Sequence, residues 1–299
     1  MAKRRDWIIG VVILASFVGF IFFSVITLLS LGGEGAFDLP SLGKRVAVVD
    51  IIGPIYSSEN VVRQIKKYAK DESVPAIVLR VDSPGGAVAP SQEIYSQLEK
   101  ARNDGKVIVV SMGSVAASGA LYLAMAADTI IANPGTLTGS IGVIIEFPTI
   151  EELAKKIGVR SEVVKSGELK NTGSMWHTPT EQERAHLQSV IDDAYAQFVE
   201  AVARGRRMSE EEVRTFADGS IFTGRQALDM HLVDALGDFE DAVNTAAKMA
   251  GLNVPPKTVK EIPHRRATVW DLVGETVFGM LSQVTPERSM GPQLLFLYR

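Results

Sequence analysis

Three short runs, Arg45–Ile52 (RVAVVDII), Ala76–Val81 (AIVLRV) and Val107–Ser111 (VIVVS), are β-branched and apolar on consecutive positions. A strand with one wet face alternates apolar and polar residues, whereas a strand apolar throughout needs cover on both faces. Thr129–Ala132 and Glu162–Lys165 read as further strands. Between the runs, Glu59–Lys70, Pro90–Arg102, Ser118–Ala127 and Ile150–Ile157 have helical composition. Strand–helix alternation of this kind predicts a mainly parallel sheet with helices on both sides. Thr180 to Arg207 reads as a long charged amphipathic helix, with Thr180 as N-cap and Glu183 three residues on. Ser209–Phe216 and Gly224–Met230 fit two shorter helices, and the last thirty-odd residues form a less regular tail in which no chemistry is legible.

Ahead of this alternation lies an uncharged run from Trp7 to Leu31, preceded by Lys3, Arg4 and Arg5. As a helix it would extend ~37 Å at about 1.5 Å per residue, enough to span a ~30 Å hydrocarbon core with some tilt. It is longer than the apolar region of a cleaved secretory signal, normally about 7–15 residues. The sequence therefore predicts a cytoplasmic N-terminus (1–6), a transmembrane anchor (7–31) and a Gly-rich linker (32–43). A folded domain (44–265) and a C-terminal tail (266–299) follow. Basic residues before the span, with only Glu34 and Asp38 after it, put the rest of the chain outside the cytoplasm. With 299 residues and a formal net charge of −4, the chain has only short basic clusters and no nucleic-acid footprint. It has no cysteine, which excludes a disulfide framework, a thiol nucleophile and cysteine-ligated zinc.

Three clusters of small residues stand out. Asp82-Ser83-Pro84-Gly85-Gly86 follows a predicted strand, at the end where doubly wound sheets collect ligands. Paired glycines there let backbone N–H groups approach a ligand closely, as an oxyanion hole requires, although Ser-Pro-Gly-Gly also suits a plain turn. In Ser111-Met112-Gly113-Ser114-Val115-Ala116-Ala117-Ser118-Gly119-Ala120, Ser118 opens a helix among small residues, as a reachable hydroxyl or as a simple N-cap. The third is Thr138-Gly139-Ser140-Ile141-Gly142, where Ser140 also fits a turn hydroxyl. A serine nucleophile needs a base. None of His177, His186, His231 and His264 has a recognisable motif around it. Lysine serves when burial keeps it neutral, and Lys165-Ser166-Gly167-Glu168-Leu169-Lys170 supplies two.

In this order, the four motifs resemble the signal peptide peptidase A family, in its short form with one catalytic domain. The resemblance runs from about Val46 to Gly237 and takes in the stretch DGSIFTGRQALDMHLVDALG. It implies a Clp-protease/crotonase-like α/β fold of stacked ββα units behind one transmembrane helix. It further implies Ser118 as nucleophile, Lys170 as general base, and Gly85, Gly86 and Gly119 as oxyanion-hole residues. Ser140 resembles a serine that hydrogen-bonds the lysine amine. No metal or other cofactor is implied. The implied partners are hydrophobic peptides such as remnant signal peptides, the membrane, and further copies of the chain in a ring. Ala120-Leu121 replaces the Gly-Tyr that often follows the nucleophile, Leu169 replaces a frequent aromatic, and His231 stands where glycine is usual. The first two departures touch pocket shape and substrate preference rather than the chemistry.

Other readings remain open at this point. An NfeD-like peptidase of membrane-protein tails also pairs Ser with Lys, but often carries further C-terminal membrane helices. A Clp-type Ser-His-Asp peptidase would want a histidine near Gly139–Ile144, where there is none. A non-catalytic scaffold of the same fold would have no need of both Ser118 and Lys170.

Overall fold

The computed structural model describes residues 43–261 and 295–297, together with 16, 17, 19 and 20. The chain divides into two compact units, Met1–Gly43 and Lys44–Arg299. In the first unit, Ser16, Phe17, Gly19 and Phe20 are helical and exposed. The rest of the expected anchor, and all of the linker but Gly43, lie outside the described residues. No helix among the described residues is long and apolar enough to cross a membrane.

The second unit begins with β1 (Val46–Ile52), α1 (Glu59–Lys70), β2 (Ala76–Ser83), β3 (Gly85–Ala87), α2 (Val88–Asn103) and β4 (Val107–Ala117). There follow α3 (Gly119–Ala124), β5 (Thr129–Ala132), β6 (Leu137–Gly139), α4 (Glu151–Lys156), a 3-10 turn at Glu168–Asn171 and α5 (Glu181–Arg206). The chain continues through α6 (Glu210–Arg214), β7 (Ile221–Thr223), α7 (Gly224–Asp229), β8 (Ala235–Leu236) and α8 (Phe239–Met249). The last described elements are β9 (Thr258–Lys260) and β10 (Leu295–Leu297).

Eight strands form one sheet in the order β7-β6-β4-β2-β1-β9, with β5 bridging β4 and β8. All pairings in it are parallel except β6 with β7. Both faces are covered, as the unbroken apolar runs require. Ala47, Val49, Ile51, Ile77, Leu79 and Val81 turn to the side where Ile65 of α1, Leu98 of α2, Leu123 of α3 and Phe198 of α5 pack. Val46, Ala76, Val78 and Val109 turn to the other side, against Ala242, Val243, Ala246 and Ala247 of α8. Alanines on α8 let its axis lie close to the sheet, while the larger helix side chains fill the opposite layer.

Helix α5 begins where its sequence says it should. Thr180 Oγ1 accepts from Glu183 N–H and the Glu183 carboxylate accepts from Thr180 N–H, a complete capping box. Other expectations need correction. Glu162–Lys165 is not a strand: no strand pairs with it among the described residues, and Val163 and Val164 are exposed. β-branched composition alone does not make a strand where no neighbouring edge offers hydrogen bonds. Strand β4 also runs on to Ala117, past the expected end at Ser111.

Leu79 is fully buried at the centre of the sheet. Leu79→Ala is expected to cost about 2–5 kcal/mol, read as a lowered midpoint in denaturant unfolding of the catalytic unit.

Candidate active site

The site begins with a bend. From Ala76 to Val81, β2 pairs in step with β4, but Ser83 lies opposite Ala116 where an unbroken register would continue from Met112. The residues of β4 in excess form a bulge, a feature that re-aims strands beside active sites. Side chains meet three of its backbone groups. Val115 N–H donates to Asp82 Oδ1 at 3.1 Å, Asn133 Nδ2 and Arg80 Nη1 donate to Met112 O, and Thr136 Oγ1 donates to Gly113 O at 2.7 Å. Gly113 must be glycine for this, because a Cβ there would lie 2.9 Å from Asp82 Cγ. Past the bulge, β4 leaves β5 and pairs with β6, Ala117 opposite Gly139.

Both strands end in a serine of positive φ. Ser118 has φ 54° and ψ −120°, Ser140 has φ 54°, and Ser118 N–H donates to Gly139 O at 2.8 Å. A left-handed backbone at a non-glycine residue costs on the order of 1–3 kcal/mol and persists only where its surroundings enforce it. At Ser118 it forms a sharp strand-to-helix turn, the geometry that other hydrolases use to present a nucleophile. Ser118 is 1% exposed and its Oγ has no hydrogen-bond partner among the described residues. A buried hydroxyl left unsatisfied is costly, so this one stands ready for a partner.

The Gly-Gly segment is the short strand β3 rather than a turn. Gly85 N–H donates to Ser83 Oγ at 3.1 Å. Ile55 N–H donates to Gly85 O, and Ala87 N–H donates to Ile55 O. Because N–H and C=O groups alternate along a strand, this leaves the Gly86 groups facing the opposite edge. On that edge lies β10, antiparallel, with Phe296 opposite Gly86 and Leu297 opposite Gly85. β10 also contacts α3, the helix that Ser118 opens. The C-terminal tail, mute as sequence, thus contributes a strand beside the candidate nucleophile. Of the three expected oxyanion donors, Gly85 donates to Ser83 Oγ, Gly86 faces the edge that β10 occupies, and Gly119 is the first residue of a helix, where an N–H has no partner within the helix.

Lys170 sits in the 3-10 turn and is exposed. Its amine makes no hydrogen bond or ion pair among the described residues, with Ser118 or Ser140 or otherwise. The two lysines of the motif differ, since Lys165 Nζ donates to Glu168 O at 2.6 Å. The segment around them shows water Ile157, Val159, Val163 and Val164, the last of these 103% exposed. Within this one chain the structure brings Ser118, Ser140 and the Gly86 strand together, with no bond from Lys170 to either serine among the described residues.

Gly86 admits no side chain, because a Cβ would collide with the Ile55 backbone carbonyl. Gly86→Ala is expected to push β3 off Ile55 and lower kcat about 100- to 1,000-fold, the usual effect of losing one oxyanion donor. Far-UV circular dichroism should stay unchanged, because the parallel sheet does not run through β3.

Known proteins resemble this chain. Residues 100–253 match the family described as Peptidase family S49, and residues 42–137 match Clp protease. A candidate protease of Synechocystis sp. (strain PCC 6803), slr0021, is 43% identical over 78% of this chain and 84% of its own length. An Enterococcus faecium protein named as a candidate signal peptide peptidase, SppA, is 39% identical over 64% of this chain and 56% of its own length. Among solved structures, a ClpP1 mutant from Listeria monocytogenes superposes with a TM-score of 0.45 at 16% identity, over 66% of this chain and 94% of that one. The fold is mixed α/β and Clp-protease-like, and the chain belongs to peptidase family S49, the group of SppA and protease 4.

Proposed function

We propose that this peptidase is a membrane-anchored serine endopeptidase that cleaves hydrophobic peptides, remnant signal peptides among them. The observation that carries the reading is the buried Ser118 hydroxyl, unpartnered at a strained strand-to-helix turn beside β3. In the proposed reaction the neutral amine of Lys170 takes the Ser118 proton as Oγ bonds to the scissile carbonyl carbon. The developing oxyanion is held by the N–H groups of Gly86 and Gly119. Collapse breaks the C–N bond, and the lysine ammonium returns its proton to the leaving amine. Water then attacks the acyl-enzyme, Lys170 takes its proton, and the acid product leaves with Ser118 restored. Ser140, next to Ser118 across β4 and β6, orients the amine.

The substrate class follows from β3. An extended peptide adds to an exposed edge through its backbone and is selected by the pockets beside it. Leu295, Phe296 and Leu297 already occupy that edge in antiparallel register, an apolar sequence in the place of a substrate. A neighbouring cleft of ≈ 420 Å³, with Ala87, Val88, Pro90, Val190 and Ala194 in its wall, suits an apolar side chain. Tethering through residues 7–31 would hold such a site close to peptides left in the bilayer, outside the cytoplasm.

Lys170 reaches Ser118 from a second copy of the chain in this reading. The exposed apolar residues around Lys170 are what a subunit interface would cover, and covering them would desolvate the amine and favour its neutral form. The functional unit is then a homo-oligomer.

Ser118→Ala should lower turnover by on the order of 10⁶ and abolish labelling by a fluorophosphonate. Retained turnover would remove Ser118 from the role. Lys170→Ala should be equally inactive, whereas Lys165→Ala keeps most of its activity. Mixing the two inactive proteins should restore activity if the dyad crosses between subunits, and a fully active monomer in light scattering would overturn that arrangement. The rate should climb with pH toward a neutral-to-alkaline optimum, as a lysine base requires. A cytosol-only fluorescent reporter fused after Arg299 should stay dark.

A further inference from the structure

His177 joins two elements. Its Nδ1 lies 3.1 Å from Asn171 Nδ2, in the turn that carries Lys170. Its Nε2 lies 3.0 Å from Glu183 Oε2 and 3.1 Å from Glu183 Oε1, in the first turn of α5. An ionised carboxylate only accepts, so Nε2 carries the hydrogen, and the neutral ring then offers Nδ1 as acceptor to the Asn171 amide. The Glu183 side chain is 3% exposed. Its carboxyl is held below the usual carboxylate range by the Thr180 N–H and by His177, so the acceptor stays ionised.

We propose that His177 is a positioning residue for catalysis: by clasping Asn171 to Glu183 it fixes the backbone of the turn from which Lys170 projects. The inference rests on Lys170 being the general base. From Gly158 to Gly167 the chain has no helix or strand, and the 3-10 turn that follows is closed by local bonds such as Lys170 N–H to Gly167 O, Thr172 N–H to Leu169 O and Ser174 N–H to Asn171 O. These close turns but tie the segment to nothing distant. The residues just beyond it are anchored, because Thr178 N–H donates to Glu151 Oε2 at 2.6 Å and Ile150 N–H donates to Met175 O at 2.7 Å. His177 carries that anchoring back to residue 171. A lysine side chain already has about 2 kcal/mol of rotamer freedom to lose, so a loose backbone beneath it would compound the cost of each productive approach. The histidine is otherwise unremarkable in sequence, and its role is visible only through its two partners.

The test uses the full chain in detergent, a fluorogenic hydrophobic peptide, and fluorophosphonate labelling of the nucleophile. His177→Ala is expected to lower kcat about 10- to 100-fold, the scale of a misplacement on the order of 1 Å, with KM changed less than about twofold. The labelling rate should fall in proportion. His177→Gln, whose amide can donate to Glu183 and accept from Asn171, should recover most of the loss. Asn171→Ala should reproduce the defect, and the double variant should be no worse than either single one, because both break the same link. An active His177→Ala beside an inactive Lys170→Ala would overturn the clasp and leave the base standing. An active Lys170→Ala would overturn the base itself. Equal losses in His177→Ala and His177→Gln with additive behaviour, or a rise in KM alone, would also overturn the clasp.

Discussion

The Val115 N–H bonded to the Asp82 carboxylate decides where this sheet ends. A straight β4 would continue beside β2 and β5 and deliver its last residues into the core. With the bulge at Gly113–Val115 held by Asp82, Asn133, Arg80 and Thr136, the strand turns from β5 to β6. Ser118 and Ser140 then emerge side by side. The strain of two left-handed serines is tolerable because each backbone is fixed at its other groups, Ser118 N–H by Gly139 O and Ser140 N–H by Ser220 O at 2.7 Å. Local strain of this sort persists only where the rest of the structure over-determines it.

Asp82 also links the bend to β3. It lies one residue before Ser83, whose hydroxyl accepts the Gly85 N–H and sets the start of that strand. Ile55 then pairs along one edge of Gly85–Ala87, a closeness only a glycine at 86 permits. The nucleophile turn and the strand that would bind a substrate backbone are therefore built from one continuous set of hydrogen bonds, at the carboxyl ends of parallel strands where such sheets gather ligands.

Much of this was legible in the sequence for a physical reason. Val46–Ile51 and Ala76–Val81 are buried on both faces, and consecutive apolar residues can mean little else at that length. The Thr180 capping box was legible too, because its partners lie three residues apart. The bulge was not, since the groups that stabilise it come from Arg80, Asp82, Asn133 and Thr136, on different elements. Glu162–Lys165 misled because composition records what a strand prefers and says nothing of whether an edge is there to pair with. The pairing of Leu295–Leu297 with β3 had no local signal at all: three residues cannot announce a partner some two hundred positions away. Ser118 stood out from its small neighbours, while the clasp of Asn171, His177 and Glu183 was hidden because a lone histidine carries no spacing rule.

The two halves of the candidate dyad are supported very differently, and this difference bears on how the site must work. Ser118 projects from a strand paired on both sides, most of whose side chains are buried. Lys170 projects from an exposed segment held by turns, one histidine and the capping box beyond it. General-base catalysis needs the amine within hydrogen-bond reach of the hydroxyl, so positional error on the two sides adds. A rigid nucleophile removes the error on one side only. In the proposed assembly a second copy over Ile157, Val163 and Val164 would also order the turn, since burying apolar surface restricts a segment that only local bonds hold. The clasp at His177 acts on the same turn from within the chain, so it supplies on the lysine side part of the order that the sheet supplies to Ser118.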